Sequence, residues 1–328
     1  MTPRREPAYL TVVAATAALA LVGFLVSLWF GPEGFGLPAA PDAAHLVFKE
    51  IRLPRALLGF LVGAALGTSG AVLQGYLRNP LAEPGLIGIS GGASLGAVLA
   101  IHSGIASRLA LALPLGGLLG AALATLTIVG LAGMSASVTT LILAGVAVSA
   151  VTAALTSLAL NLTSNPFASV EIMVWLMGSL TDRSLIHVYL AAPLITVGIA
   201  MLLTTARDLE ALSLGEEAAQ NLGVDPAGLR FKVIAGTALS VGAATAVAGG
   251  IGFVGLIVPH VMRPFVGESP GRLLLPSLFA GAALVLFADV ALRMGAPQSD
   301  LRLGVLTALI GAPFFLWLVV KKRKELAP

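Results

Sequence analysis

The sequence contains no cysteine and very little charge, and each shortage excludes a class of protein. Without cysteine the chain can form neither disulfides nor thiolate metal sites. Only 11% of its residues are charged, whereas a soluble domain carries about 25%. From Leu109 to Val170 no charged residue occurs over 62 positions, which is room for two or three membrane spans of about 20 residues each. The composition therefore excludes a soluble fold and predicts an all-α polytopic membrane protein.

Motifs for nucleotide binding and catalysis are also missing. The sequence has no G-x-x-x-x-G-K-[ST] phosphate-binding loop, so this chain cannot bind ATP in the P-loop manner. It shows no nucleophile–base pair and no cluster of metal ligands. We therefore predict no catalytic residue, no metal site, no resident cofactor and no enzymatic activity. The formal net charge of +3 mostly reflects the flanking loops and indicates no nucleic-acid surface.

Apolar runs fill most of the chain and predict one transmembrane domain over residues 1–328. A short surface helix is expected within residues 162–187, and the eighth span is short and contains Pro259, which suggests a half-helix. Basic residues flank the domain at Arg4, Arg5 and Lys321–Lys324, so the positive-inside rule places both termini in the cytoplasm and requires an even number of spans. Ten spans are predicted, at about 8–30, 53–77, 84–103, 109–132, 138–161, 188–206, 229–250, 253–266, 273–294 and 302–320.

The most charged internal segment is the loop of residues 207–232. It contains a short predicted helix from about Gly215 to Leu222. Glu216 and Glu217 lie in the first turn of this helix, where the helix dipole favours carboxylates. The charges exclude a spanning role. Two interpretations remain open from the residues alone: a solvated connector, or a docking element for a cytoplasmic partner.

Arginines stand at the predicted outer ends of the second and ninth spans. Arg52 and Arg55 are three residues apart and share a helix face, and Arg293 follows Asp289 by four residues. Such arginines often extend to the membrane interface, with Asp289 pairing Arg293 at helical spacing. The alternative is a cationic rim that steers and docks an acidic partner.

Two further segments have both a structural and a functional interpretation. Asn79–Gly85 breaks the helix on the cytoplasmic side with two prolines and an asparagine. Irregular backbone at membrane depth must be buried in protein or line a water-filled path, so this turn is either structural or part of such a path. Met173 and Met177 flank Trp175 near the outer face, where they suit either packing or contact with a large apolar cargo.

Several motifs, in the same order, resemble the membrane-permease family of bacterial importers for iron chelates, haem and cobalamin. The stretch Arg52–Gly96 contains R-L-P-R and N-P-L-A-E-P-G, and further matches extend to Gly311–Phe315. The resemblance implies a homodimer of this chain in the inner membrane, joined by two ATP-hydrolysing subunits and a periplasmic binding protein. ATP and Mg would bind to the partner ATPases. It also implies alternating access and a bulky iron complex, haem or a ferric siderophore, as cargo, with cobalamin as the alternative.

The same resemblance assigns roles to individual residues. Arg52, Arg55 and Arg293 correspond to arginines that meet glutamates of the binding protein. Asn79 and Leu81 correspond to a cytoplasmic gate, and Ser135–Thr140 is a looser match to a second gate segment. Met173 and Met177 are candidates for the translocation path from their residue type and position alone, with packing as the alternative. The family pattern L-G-E-x-x-A-x-x-L-G marks a helix that docks on the ATPase, and here it covers Leu214, Gly215, Glu216, Glu217, Ala219, Leu222 and Gly223.

One departure from the family pattern and one rival function remain. Arg302 stands where the family usually has proline, and its role is open. An ion-coupled secondary transporter is the main rival, and it would need ionisable residues inside the membrane. Asp289 is the nearest candidate for that role, but it lies beside Arg293 at a helix end.

Overall fold

The computed structural model describes residues 9–31, 34–36, 41–133, 138–295 and 301–326. Arg4 and Arg5 lie outside these ranges, as do residues 135–137 of the predicted second gate segment, Ser135–Thr140. The described chain is almost entirely helical. In a membrane there is no water to bond the polar backbone groups, so each spanning segment must satisfy its own N–H and C=O groups.

Fourteen α-helices and one hairpin make up the described residues. The hairpin pairs β1 (Phe30–Gly31) with β2 (Gly34–Phe35) in antiparallel fashion. A π-helical stretch, Val47–Arg52, and a 3-10 helix, Pro84–Ile87, connect some of the α-helices. The helices are α1 (Tyr9–Trp29), α2 (Pro41–Leu46), α3 (Leu53–Tyr76), α4 (Ile89–His102), α5 (Ala112–Ala132), α6 (Val138–Leu162), α7 (Pro166–Leu176), α8 (Leu185–Leu203), α9 (Ala206–Leu212), α10 (Glu216–Asn221), α11 (Pro226–Ala248), α12 (Val254–Val266), α13 (Pro270–Gly295) and α14 (Leu303–Leu326).

Eight helices in the described residues are long and apolar enough to cross a membrane. They are α1, the continuous helix Asp42–Tyr76, α5, α6, α8, α11, α13 and α14. The shorter apolar helices α4 and α12 coincide with the predicted third and eighth spans, and α7 coincides with the predicted surface helix. The all-α polytopic fold is therefore confirmed, while the count of ten spans and the cytoplasmic termini stay predictions.

Helices α3, α11 and α13 form the buried centre, and α1, α5, α6, α8 and α14 present most of their residues outward. Close approach of α3 and α13 depends on glycine. A Cβ on Gly63 would overlap the carbonyl oxygen of Gly281, and one on Gly67 would overlap that of Ser277. Small residues allow such backbone contact in membrane helix pairs, where packing rather than the hydrophobic effect drives association.

We expect Gly67→Ala to destabilise the protein by about 1–3 kcal/mol, because the added methyl group forces α3 away from α13. Gly130 in α5 is a matched control, since no neighbouring atom lies within 4 Å of its Cβ position. Gly130→Ala should be neutral or slightly stabilising through helix propensity. Thermal unfolding of both variants in one detergent measures the difference, and equal melting temperatures would contradict the tight contact.

Candidate functional site

The loop between α8 and α11 folds into two short helices, α9 and α10. Gly215 (φ 113°) and Gly223 (φ 90°) flank α10 in backbone conformations that favour glycine. Ala219 faces inward and is fully buried, which anchors α10 to the rest of the chain. The predicted helix from Gly215 to Leu222 is thus present, within one residue at each end.

The outward surface of α10 is apolar and acidic. Leu214 is 70% exposed and Leu222 is 65% exposed, and Glu217 is also exposed. Two large apolar side chains exposed on an otherwise charged loop favour a contact surface over a solvated connector. This surface, Leu214 to Leu222, is called the docking face below.

The segment Arg78–Glu83, called the gate turn below, is ordered by hydrogen bonds of Asn79. The Asn79 side-chain oxygen accepts the Leu81 N–H at 2.9 Å. The Asn79 carbonyl accepts the Ala82 N–H at 3.1 Å, and the Asn79 N–H donates to the Gln74 carbonyl at 3.1 Å. The asparagine therefore makes the turn rigid, which is the usual consequence when such a side chain bonds to backbone two residues on.

The far end of the gate turn is fixed to the start of α12. The carboxyl group of Glu83 lies near the backbone N–H of Phe253, and burial raises the pKa of this carboxyl while the nearby N–H opposes the rise. Pro84 packs so closely against Gly255 that a Cβ added to this glycine would lie 2.7 Å from the proline Cδ. The ring of Phe253 packs on α14 at Gly311. The gate turn, α12 and α14 therefore meet at one place.

The outer arginines do not form an open rim. Asp289, 1% exposed, accepts hydrogen bonds from Nε and Nη2 of Arg55 at 2.8–3.0 Å. Arg293 forms a second ion pair with Asp289 at 3.0 Å. The pairing of Asp289 with Arg293, expected from their spacing, is confirmed. The Arg55 partner lies 234 residues away in sequence, so no local pattern could have predicted it.

Arg52 and Arg293 also cap the carboxyl end of α1. Arg52 donates to the carbonyls of Leu28 and Trp29 at 3.2 and 3.0 Å. Arg293 donates to the Ser27 carbonyl at 3.1 Å and to the Ser27 hydroxyl at 2.7 Å. Cations at this end of a helix satisfy its last carbonyls and complement its dipole. Arg52 and Arg293 are each only 7% exposed, so their first role is structural.

The Arg52, Arg55, Asp289 and Arg293 cluster, called the outer charge cluster below, nevertheless keeps a net positive charge. It combines three guanidinium groups with one carboxylate. A positive field at this position still suits an acidic partner, because steering acts over distances longer than a direct contact.

The two predicted path methionines are partly exposed. Met177 lines a cavity of about 520 Å³ together with Gly250, Gly304 and Ala308. This cavity lies between the end of α7 and α14. Within the described residues no group of three or more His, Asp or Glu could hold a metal ion. Arg302 precedes α14, and its carbonyl accepts the N–H groups of the first turn of that helix.

Residues 10–321 match the FecCD transport family. A cobalamin import system permease protein of Halobacterium salinarum is 40% identical, over 90% of this chain and 78% of that protein. A hemin transport system permease protein of Yersinia pestis is 37% identical, over 87% of this chain and 86% of that protein. A vitamin B12 import system permease protein of Vibrio vulnificus is 39% identical, over 84% of this chain and 83% of that protein.

The fold is also similar to that of a solved structure. That solved structure is described as an inward-facing conformation of an ABC transporter of metal-chelate type. The TM-score is 0.86 at 33% sequence identity, and the match covers 95% of this chain and 99% of the other.

Proposed function

The chain belongs to the FecCD transport family and is the permease subunit of an ABC importer, and on that premise we propose that it moves a bulky metal chelate across the bacterial inner membrane by alternating access. Family membership implies a partner ATPase and a binding protein. ATP and Mg are proposed to bind to that ATPase and not to this chain. The observation that carries the mechanism is the docking face, where Leu214 and Leu222 are exposed on a short helix flanked by two glycines.

In the proposed mechanism the ATPase receives α10 and the binding protein docks at the outer charge cluster. The gate turn, with Asn79 and Leu81, closes the cytoplasmic side of the path. Support for a path beside α14 comes from the Met177 cavity, which lies at the surface of the single chain. A second copy facing α14 would enclose this cavity between two permeases, and we therefore propose a homodimer.

The proposed cargo is a metal-centred tetrapyrrole, and haem and cobalamin are the two candidates. Haem is supported by Met177, which lines a cavity with mainly apolar and glycine neighbours. Cobalamin is favoured by the names of the relatives from Halobacterium salinarum and Vibrio vulnificus, and haem by the relative from Yersinia pestis. A ferric siderophore is the third outcome of the test.

Uptake into proteoliposomes tests the proposal. The vesicles hold the permease and its ATPase, and the binding protein is supplied outside with haem, cyanocobalamin or a ferric siderophore in parallel. ATP-dependent accumulation of one chelate identifies the cargo. Uptake driven by an ion gradient without ATP would instead support the secondary transporter.

Binding-protein affinity should fall as salt rises, because charge contacts at the surface are screened. Arg55 is the most accessible of the three cluster arginines, with its side chain 15% exposed. Arg55→Gln should weaken docking by up to about tenfold at low salt, as loss of a charge contact does. The exposed Arg108 before α5 is the matched control, and Arg108→Gln should leave docking unchanged. Salt-independent affinity that Arg55→Gln does not alter would leave the cluster with a structural role alone.

A further inference from the structure

An ion pair joins the gate turn directly to α10. The Arg78 Nη2 lies 3.1 Å from the Glu216 Oε1, across 138 residues of sequence. The two side chains are 45% and 60% exposed. An exposed pair of this kind contributes little to folding stability. Stability therefore does not explain why these two segments are joined by charge.

The backbone at Arg78 is strained. Its φ of 48° lies in the left-handed region, directly after Leu77 ends α3. Helices commonly place glycine at this position because a side chain there is unfavourable. A residue other than glycine in this conformation is a pointer to function. Glycine at this position would relieve the strain, but it would lack the side chain that reaches Glu216.

A displacement of Arg78 would be passed on through the gate turn. Asn79 holds Leu81 and Ala82 by the hydrogen bonds described above. The next residue, Glu83, places its carboxyl group near the backbone N–H of Phe253 at the start of α12, and Pro84 packs against Gly255 of that helix. A contiguous series of contacts thus runs from α10 through the gate turn to the broken backbone before α12.

We propose that Arg78 is the positioning residue through which α10 moves the gate turn. The inference rests on the proposed function, in which the docking face binds the ATPase and the gate turn closes the path. When a partner covers α10, water is excluded from the ion pair, and the attraction between the two charges strengthens as the effective dielectric constant falls. The pair then couples the position of α10 to that of Asn79 and Leu81.

Thiol labelling measures the position of the gate turn without knowledge of the cargo. The chain contains no cysteine, so Leu81→Cys introduces its single thiol. The permease with its ATPase in proteoliposomes is labelled with a maleimide, with and without ATP and vanadate. We expect ATP to change the labelling rate at least threefold when Arg78 is present. Lys232→Gln breaks another cytoplasmic ion pair, that with Asp208 at 3.3 Å, and should preserve the response.

Arg78→Gly separates coupling from folding. Glycine accepts the positive φ without strain, so this variant should melt no lower than the parent and should retain its ATPase. The ATP-dependent change in labelling should nevertheless be lost. If Arg78→Gly responds to ATP as fully as the parent, the proposal is wrong.

A conservative substitution provides the second arm. Arg78→Glu should lose the response, and Arg78→Lys, which keeps the positive charge and leaves the docking face unchanged, should keep at least half of it. Equal responses of Arg78→Glu and Arg78→Lys would overturn the proposal. If the parent itself neither binds an ATPase nor responds to ATP, the proposed function fails with it, and this outcome is distinct from failure in the variants alone.

Discussion

Replacing Leu214 and Leu222 together with aspartate is expected to reduce co-purification of the ATPase subunit at least tenfold, while the permease still inserts and folds. Both leucines are mostly exposed in the single chain, so their replacement removes little internal packing. In a complex they would be covered by the partner, and a carboxylate buried there without a partner is costly. A tenfold loss corresponds to about 1.4 kcal/mol of binding free energy, which is modest for two apolar contacts.

The control for this experiment is Gln220→Glu, which adds negative charge to exposed surface of α10 without removing a leucine. It should retain most of the bound ATPase. Association is measured as the ratio of ATPase to permease after purification in detergent, and circular dichroism and melting temperature report on folding. Undiminished association of the double aspartate variant would show that the ATPase docks elsewhere.

Replacing Asp289 with asparagine is expected to cost about 3–5 kcal/mol of stability, because it removes one partner of a buried ion pair. The Asp289 side chain is 2% exposed and forms ion pairs with both Arg55 and Arg293. Asparagine keeps the shape but leaves the guanidinium groups to repel one another. We expect a lower melting temperature and reduced yield, with the effect originating at the contact of α1, α3 and α13.

Asp208→Asn is the matched control, because it also removes the acid of an ion pair. The pair of Asp208 with Lys232 is partly exposed, with side chains 26% and 39% accessible, and such pairs contribute about 0–1 kcal/mol. Thermal unfolding of the two variants compares a buried with an exposed pair. Equal, small shifts would mean that water or lipid headgroups already screen the outer charge cluster.

The sequence by itself determined the class of fold and most helix positions. Long apolar runs without charge can only be satisfied as helices in a membrane, and the first span, expected at about 8–30, is α1 at Tyr9–Trp29. The short helix α10 was also predictable, because glycines enclose a short charged segment between two apolar runs. The ion pair of Asp289 with Arg293 follows from a spacing of four residues within one helix.

Only the tertiary structure decided how these elements meet. Arg55 reaches Asp289, Arg78 reaches Glu216 and Pro84 packs against Gly255 across long stretches of sequence. Arg52 and Arg293, which sequence alone allowed as an exposed rim, are buried against the end of α1. The physical reason is that residue spacing specifies neighbours within a helix. Contacts between helices depend on the depth and rotation at which the helices pack. For α3 and α13 the close backbone contact of Gly67 with Ser277 restricts that depth and rotation.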